Sequence, residues 1–511
     1  MRSYFWVMFI RKNKNRSGSV SIQIVCKNNR ANKVIKTVGV AKTNREEELL
    51  VLLADTELER LQGMESLFVE HDDMVVDNFV DGIANDHLQI VGPELILGRI
   101  YEKIGFPDDG SCNYFRNLVL CRIVSPGSKL KTTSYFRRHL NLNVSVYSIY
   151  RFLDELEQGL KKDIEEIAFK HTKKILRGNI GVVFYDMTTL YFEASEDDDF
   201  RVPGFSKDGK HQQPQIMIGL LVSSQGYPVG YQLFEGNTSE TKTLIPVLET
   251  FRHKFNLDRP VIIADAALLS QKNIKGLQQE EYEYILGGRL KNESEEVKAK
   301  ILSLEIKEGK PRELLTSNGR LIITYSSKRA CNDKKNREKG LKRLEKKVSS
   351  GKLSKKHINN RGYNKYLKIT GEMNIAVDYE KFEADGLWDG LKGYVTNTTL
   401  TKSKIIENYG QLWHIEKAFR ISKTDLRIRP VYHRLKNRIE AHICICFAAY
   451  TVYKEMERLL KKNKITLSPE KAINQIKEIT QLSYVLPKSR KVKTKLLKPT
   501  SAQIQLLNMK F

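Results

Sequence analysis

Tyr409-Gly-Gln-Leu-Trp-His-Ile-Glu416-Lys-Ala-Phe-Arg420-Ile-Ser-Lys423 is the stretch from which the rest of the chain can be read. At 3.6 residues per turn, Leu412, Ile415, Phe419 and Leu426 fall on one apolar stripe, the mark of a half-buried helix. Glu416 lies beside that stripe, with Arg420 one turn on and Lys423 two turns on. A carboxylate flanked by cations on such a helix suits the handling of phosphate. The same spacing also describes an ordinary solvated face, so the segments upstream must decide between the two.

The 511-residue chain is 41% hydrophobic and 29% charged, which fits a folded protein of roughly three domains with at least one large core. Its formal net charge is +25, an excess that points to a polyanionic partner: DNA, RNA or an anionic membrane surface. The excess is concentrated. Lys328–Lys368 holds 16 Lys/Arg against 3 Asp/Glu, about half of the net charge, and Val485–Phe511 holds seven cations and no acid. A solvated surface is the plain reading of one such run; two in a single chain favour nucleic acid. The six cysteines (Cys26, Cys112, Cys121, Cys331, Cys444, Cys446) form no Cys-x-x-Cys pair and no zinc spacing, as expected of reduced thiols in a cytoplasmic protein. Tyr4–Ile10 is too short for a secretory signal and reads better as a strand. Ile443–Tyr453 is too short to cross a bilayer. The expectation is a soluble intracellular protein without a membrane partner.

Residues 1–90 read as a β-rich arm (Phe5–Ile10, Val20–Cys26, Val34–Val40) and a helix, Glu46–Gln62. That arm is either a structural cap or a DNA contact. Residues 91–178 read as short helices carrying Lys129, Lys131, Arg137, Arg138 and Arg151, a pattern that fits a helical DNA-binding region and equally any helical bundle. From residue 179 strands alternate with helices. Residues 179–290 and 390–460 are expected to be two parts of one α/β core. Between them, residues 291–389 carry strands (Leu321–Tyr325, Met373–Val377) and the basic helix Asn332–Val348. Residues 461–511 form a basic C-terminal region whose tail, from Ser489, is expected to be mobile.

Two aspartates close apolar strands. Asp186 follows Val182-Val-Phe-Tyr, and Asp265 follows Val261-Ile-Ile-Ala. Residues at strand ends of an α/β sheet face its functional edge, and a charged residue there must be solvated, paired or metal-bound. With Glu416 they make three carboxylates able to hold two hard divalent cations through oxygen. Two such ions about 4 Å apart activate a water or a 3′-hydroxyl and stabilise the leaving oxygen of a phosphodiester. Either aspartate alone is as well explained as a loop start or helix cap; jointly, with the basic excess, the three favour metal.

These motifs resemble the DDE transposases of bacterial insertion sequences, in the insertion-sequence-four-like branch with a Tyr-x2-Arg-x3-Glu-x6-Lys signature. Tyr409, Glu416 and Lys423 keep that spacing, while Leu412 stands where the signature has Arg. Asp186-Met187-Thr188 and Asp265 with Ala267 look like the patterns around the two aspartates. Gly204–Asp208, Glu235–Thr238, Tyr325–Arg329 and Arg429–His433 also look like that branch. The resemblance implies a ribonuclease-H-like mixed sheet core with a β-rich insertion before the acidic helix. The 79 residues between the aspartates and the 151 from Asp265 to Glu416 agree with it. It further implies two Mg²⁺ ions (or Mn²⁺) on Asp186, Asp265 and Glu416, and DNA phosphates held by Tyr409, Arg420 and Lys423. The implied activity is cut-and-paste transposition: cleavage of double-stranded DNA at element ends, then joining of the 3′-hydroxyls to target DNA. It takes place within a homodimeric complex in a bacterial, nucleoid-associated setting. With Leu412 in place of the arginine, one grip on the DNA backbone falls to Lys417 or Arg420. Trp388, in the insertion, is a candidate to stack a flipped base, or a core residue. Two readings compete: a non-catalytic DNA-binding regulator of transposition, and a structure-specific nuclease of the same fold. The three intact acids weigh against the regulator.

Overall fold

The computed structural model describes all residues except 1–6, 29–30, 62–75, 78, 109–112, 194–195, 207–208, 210, 256–258, 351–352, 354–356, 360–361, 371–373, 487–488 and 490. Cys112, Lys207 and Asp208, singled out above, lie outside the described residues, as does the start of the expected strand Tyr4–Ile10. The chain forms two compact units, Met1–Leu88 with Ser483–Thr494, and Gln89–Leu482 with Lys495–Phe511.

In the first unit β1 (Val7–Lys14), β2 (Val20–Asn28) and β3 (Ala31–Ala41) make an antiparallel sheet in that order. Gly18, at φ +76°, supplies the left-handed residue of the first turn. Alternation sends Ile22, Ile24 and Cys26 to one face, where all three are buried. Gly39 lies opposite Ile22, and a Cβ there would stand 2.6 Å from Leu50 of α1 (Asn44–Leu61). The helix therefore covers this face, and Lys12–Glu47 at 2.9 Å and Lys36–Glu57 at 2.6 Å tie its edges.

A short strand, β4 (Leu88–Ile90), precedes the helices α2 (Arg99–Ile104), α3 (Tyr114–Val124), α4 (Lys129–His139), α5 (Val146–Gln158) and α6 (Leu160–Ile175). Ser128 and Ser145 cap α4 and α5 by accepting from the Lys131 and Ser148 amides. Then comes an eight-stranded sheet. Its members are β5 (Val182–Tyr191), β6 (Gln215–Ser223), β7 (Pro228–Glu235), β8 (Val261–Ala264), β9 (Tyr284–Gly288), β10 (Arg312–Thr316), β11 (Gly319–Tyr325) and β14 (Leu391–Thr396). The spatial order is β10-β11-β14-β9-β8-β5-β6-β7. β5, β6 and β7 form an antiparallel meander, and β8 and β9 add in parallel beside β5. That mixed five-strand arrangement agrees with the mixed sheet core that the resemblance implies.

Both faces of the sheet are covered, as parallel strands demand. Val183, Tyr185 and Met187 pack with α7 (Leu244–Phe255) and α8 (Gln271–Gln279). Phe184, Leu190, Leu220, Ile263 and Ile285 share the other core with α12 (Lys402–Gly410), α13 (Trp413–Arg420) and the 27-residue α14 (Lys436–Lys462). Among the described residues no helix is long and apolar enough to cross a membrane.

Four expectations need correction. Asp186 does not close its strand: β5 continues to Tyr191, because Thr188, Thr189 and Leu190 are β-branched or apolar and β6 pairs with them throughout. The stretch Tyr409–Lys423 is not one unbroken helix. It breaks at Gln411–Leu412 and loosens into a π turn over Ile421–Asp425, and the chain turns at Arg427 with φ +45°. The apolar stripe survives, since Ile415, Phe419 and Leu426 are buried and Leu412 is half-buried. Residues 291–389 are not β-rich: α9 (Glu295–Ser303), α10 (Ser327–Ser349) and α11 (Tyr379–Gly386) outweigh β10, β11, β12 (Leu367–Thr370) and β13 (Asn374–Val377). The Lys, Arg and Glu of α10 are good helix formers, and Ser326 caps it. The C-terminal tail is folded. After α15 (Pro469–Lys477) and β15 (Thr480–Val485) come β16 (Val492–Leu496) and α16 (Ser501–Leu507), with Leu506 and Met509 buried. All described cysteines are free.

Packing makes two predictions. A Cβ at Gly230 would lie 1.9 Å from the Phe251 ring, so Gly230→Ala should cost about 1–3 kcal/mol of stability in urea unfolding. Lys129 is buried, and burial followed by the charge of Arg122 pushes its ammonium down to about 7. The unfolded chain holds that proton to about pH 10.4, so the penalty is full below about pH 7 and fades as pH rises from there towards about 10. Lys129→Met should therefore raise the melting temperature by several degrees at neutral pH and below, and by little in alkali. Melting curves across that range test it.

Candidate active site

β5 and β8 pair in parallel from Val182↔Val261 to Tyr185↔Ala264. The next residues on the two chains are Asp186 and Asp265, so the register carries both carboxylates to one spot at the end of β8. Parallel partners share a sheet face, as do residues two apart on a strand. Phe184 and Ile263, two residues earlier, belong to the core shared with α12–α14; both aspartates leave the sheet on that side. Each is half-buried. Asp186 Oδ1 accepts from the Met187 amide at 2.7 Å, and Asp265 Oδ1 accepts from the Ala267 amide at 2.8 Å, capping the 3₁₀ turn Ala266–Leu268.

α13 lies over this face. Ile415 and Phe419 are buried against the core, while Glu416 and Arg420 are exposed on the same helix. Tyr409 belongs to the preceding helix α12, and its hydroxyl nearly touches β9: a Cβ on Gly287 would stand 2.6 Å from it. Glycine is required there by the close approach. Burial, and then the charges of Asp265, Tyr394 and Glu416, push the Tyr409 phenol up. Acids from a strand end and from a helix thus bear on one hydroxyl. Lys423, in the π turn after α13, donates from Nζ to Thr188 Oγ1. Thr188 is two residues beyond Asp186 on β5 and shares its face. Asp186, Asp265, Tyr409, Glu416 and Lys423 therefore occupy one side of the sheet, with Arg420 one turn beyond Glu416. Among the described residues no three His, Cys, Asp or Glu side chains form a ready-made metal cage.

Two cations were not singled out from sequence. Lys392 of β14 sits 4.6 Å from the Tyr409 ring centre and 5.3 Å from that of Tyr394. Burial and then the charge of Arg329 push its ammonium down, and Glu416 opposes them. Arg329 opens α10, and its charge also reaches Tyr394 and Tyr409. The only signal for it was its place in the Tyr325–Arg329 motif; Lys392 left none, being one lysine in a strand. Lys417, by contrast, turns away from the aspartates. It pairs with Glu457, which burial raises but which hydrogen bonds from Lys417 and Lys454 hold down at about 2. Beside Lys392 and Arg329 opens a cleft of about 440 Å³ lined also by Arg337, Tyr363, Lys365 and Trp388. Trp388 is half-buried, packed in part on the core and in part facing this cleft.

A cryo-EM structure of the piggyBac transposase synaptic complex with hairpin DNA is similar to this chain at a TM-score of 0.38 and 12% identity, over 77% of this chain and 80% of that one. The Mos1 transposase paired-end complex with the left transposon end is similar at a TM-score of 0.16 and 13% identity, over 34% of this chain and 57% of that one. No curated protein matches the chain. The model of the family described as "Transposase DDE domain" matches residues 178–452, more than half of the chain and a span that holds both aspartates and Glu416. The chain belongs to the transposase DDE domain family.

Proposed function

We propose that this chain is a DNA transposase of the insertion-sequence branch that its acidic helix resembles. It binds element ends, cuts a phosphodiester there and joins the freed 3′-hydroxyl to target DNA by cut-and-paste. The observation that carries the reading is the β5–β8 register, which brings Asp186 and Asp265 together on the face beneath the Glu416 helix.

In the first step a water oxygen bonds to phosphorus as the bond to the 3′-oxygen breaks, leaving a 3′-hydroxyl. In the second, that oxygen attacks a target phosphodiester and displaces its 3′-oxygen. Asp186, Asp265 and Glu416 are hard oxygen donors of the kind Mg²⁺ or Mn²⁺ takes. Mg²⁺ is commonly held by one or two carboxylates, with substrate phosphate completing its shell, so two adjacent aspartates fit the ion without a closed protein cage. Two bound ions would supply nucleophile activation and charge neutralisation at the leaving oxygen. The chain's own cations do the rest. Lys423 and Arg420 hold phosphate on one flank of the acids, and Lys392 and Arg329 hold it on the other, near Tyr409. The last two replace the arginine absent at Leu412, since Lys417 is engaged with Glu457. The cleft beside Lys392 admits an unstacked nucleotide against Trp388. Joining two ends requires two active sites, so the working form is a homodimer on paired DNA ends, in the bacterial cytoplasm.

With DNA carrying the element ends and Mg²⁺, Glu416→Gln and Asp265→Asn should each lower cleavage by about 100-fold or more while end binding persists. Undiminished cutting by either variant would remove that residue from the site. Lys392→Ala should weaken both binding and cleavage. Lys417→Ala should lower the melting temperature, because it removes one of the two lysines that pair with the buried Glu457, and leave the cleavage rate per folded molecule near that of the unaltered protein; gel assays alongside thermal melts separate the two.

A further inference from the structure

A second cleft lies on the same unit, lined by the start of α4, the turn after α13 and α15, with a volume of about 430 Å³. We propose that Lys131, Arg427 and Lys477, which converge in this cleft, form a second DNA-backbone site that seats one phosphate of the duplex away from the carboxylates. The inference rests on the reading of the protein as DNA-acting.

The three cations come from three separate elements: Lys131 from the first turn of α4, Arg427 from the turn that follows Lys423, and Lys477 from the end of α15. None of them pairs with a carboxylate among the described residues. Lys477 is half-buried, and burial, then the charges of Lys131 and Arg427, push its ammonium down, with no acid in opposition. Two acids, Asp425 and Glu470, line the cleft as well. They stand apart from the cations: Asp425 accepts from the Tyr453 hydroxyl at 3.2 Å, and the charges that reach it are those of Glu470 and Arg420. One wall is therefore a cluster of mutually repelling cations, and the other is acidic. An anion is what relieves the first wall, and the second wall repels a further phosphate, so the cleft holds one.

The position favours a DNA phosphate. Arg427 is four residues beyond Lys423, a reach of at most about 14 Å, and Lys423 touches Thr188 beside Asp186. At about 3.4 Å of rise per base pair, that reach corresponds to a few base pairs, so one strand spans both places. Arg427 also takes a backbone conformation that L side chains rarely adopt, with φ +45°. The strain persists because the surrounding structure fixes the turn, and it directs a cation into the cleft.

The test uses the full chain and a mixed-sequence duplex of about 30 base pairs, with affinity measured by fluorescence anisotropy across a salt series. Arg427→Gly removes the charge and suits the positive φ, so it folds; Lys477→Gln is the second variant. Lys170→Gln, at an exposed helical ion pair on α6, is the control. The expected result is weaker binding for the combined Arg427→Gly/Lys477→Gln variant, with a salt dependence shallower by about one unit of slope, and no change in the control. Variants that melt as folded proteins yet bind with unaltered affinity and slope overturn the proposal. If the unaltered protein binds no duplex at all, the DNA-acting reading falls and the site falls with it. The two failures are told apart by which protein is silent.

Discussion

The parallel pairing of β5 with β8 is the constraint on which the rest depends. Four residue pairs, all buried but for the half-buried Val182, fix which residues come next, and those are two aspartates. A slip by one residue would turn one carboxylate into the opposite core, among Val183, Tyr185 and Ile262, where a bare charge is prohibitive. The apolar alternation that stabilises the fold thus also sets where the two carboxylates stand.

Around that pair the molecule invests in polar contacts that tie its elements to α14. Lys417 and Lys454 close on Glu457, and Tyr227 and Arg458 close on Glu455. Burial lifts Glu455, but the hydrogen bonds it accepts from Arg458 and the nearby His171, 3.4 Å away, hold it at about 2. Such networks add little net stability when whole, and their interruption is costly. Their use is geometric: they bind α13 and the β6–β7 hairpin to the long helix α14.

Much of this was legible in sequence, for identifiable reasons. Strands with β-branched residues facing two cores, as in Val182–Tyr185 and Val261–Ala264, admit few other readings. The stripe of Ile415, Phe419 and Leu426 named the right buried face even though the helix is broken, because a short tight turn preserves the phase of the pattern. Other features were hidden. Asp186 looked terminal because a charge after four apolar residues reads as an end, and only pairing with β6 shows that the strand goes on. The fold of the basic tail rests on two apolar anchors, Leu506 and Met509, too few to register among lysines. Lys392 and Arg329 are far from the acids in sequence and meet them only through the register of β14 and the start of α10.

The insertion does not hang from the core by linkers. β10 and β11 continue the sheet through β14, so its first half is stitched to the core by backbone hydrogen bonds over six residue pairs on the β11–β14 seam. A segment joined in this way resists swinging like a flap. The β14 side of the cleft beside Lys392 and Arg329 is consequently fixed by the sheet, so that on the proposed reading a nucleotide entering there would lose little affinity to reorganisation of that wall.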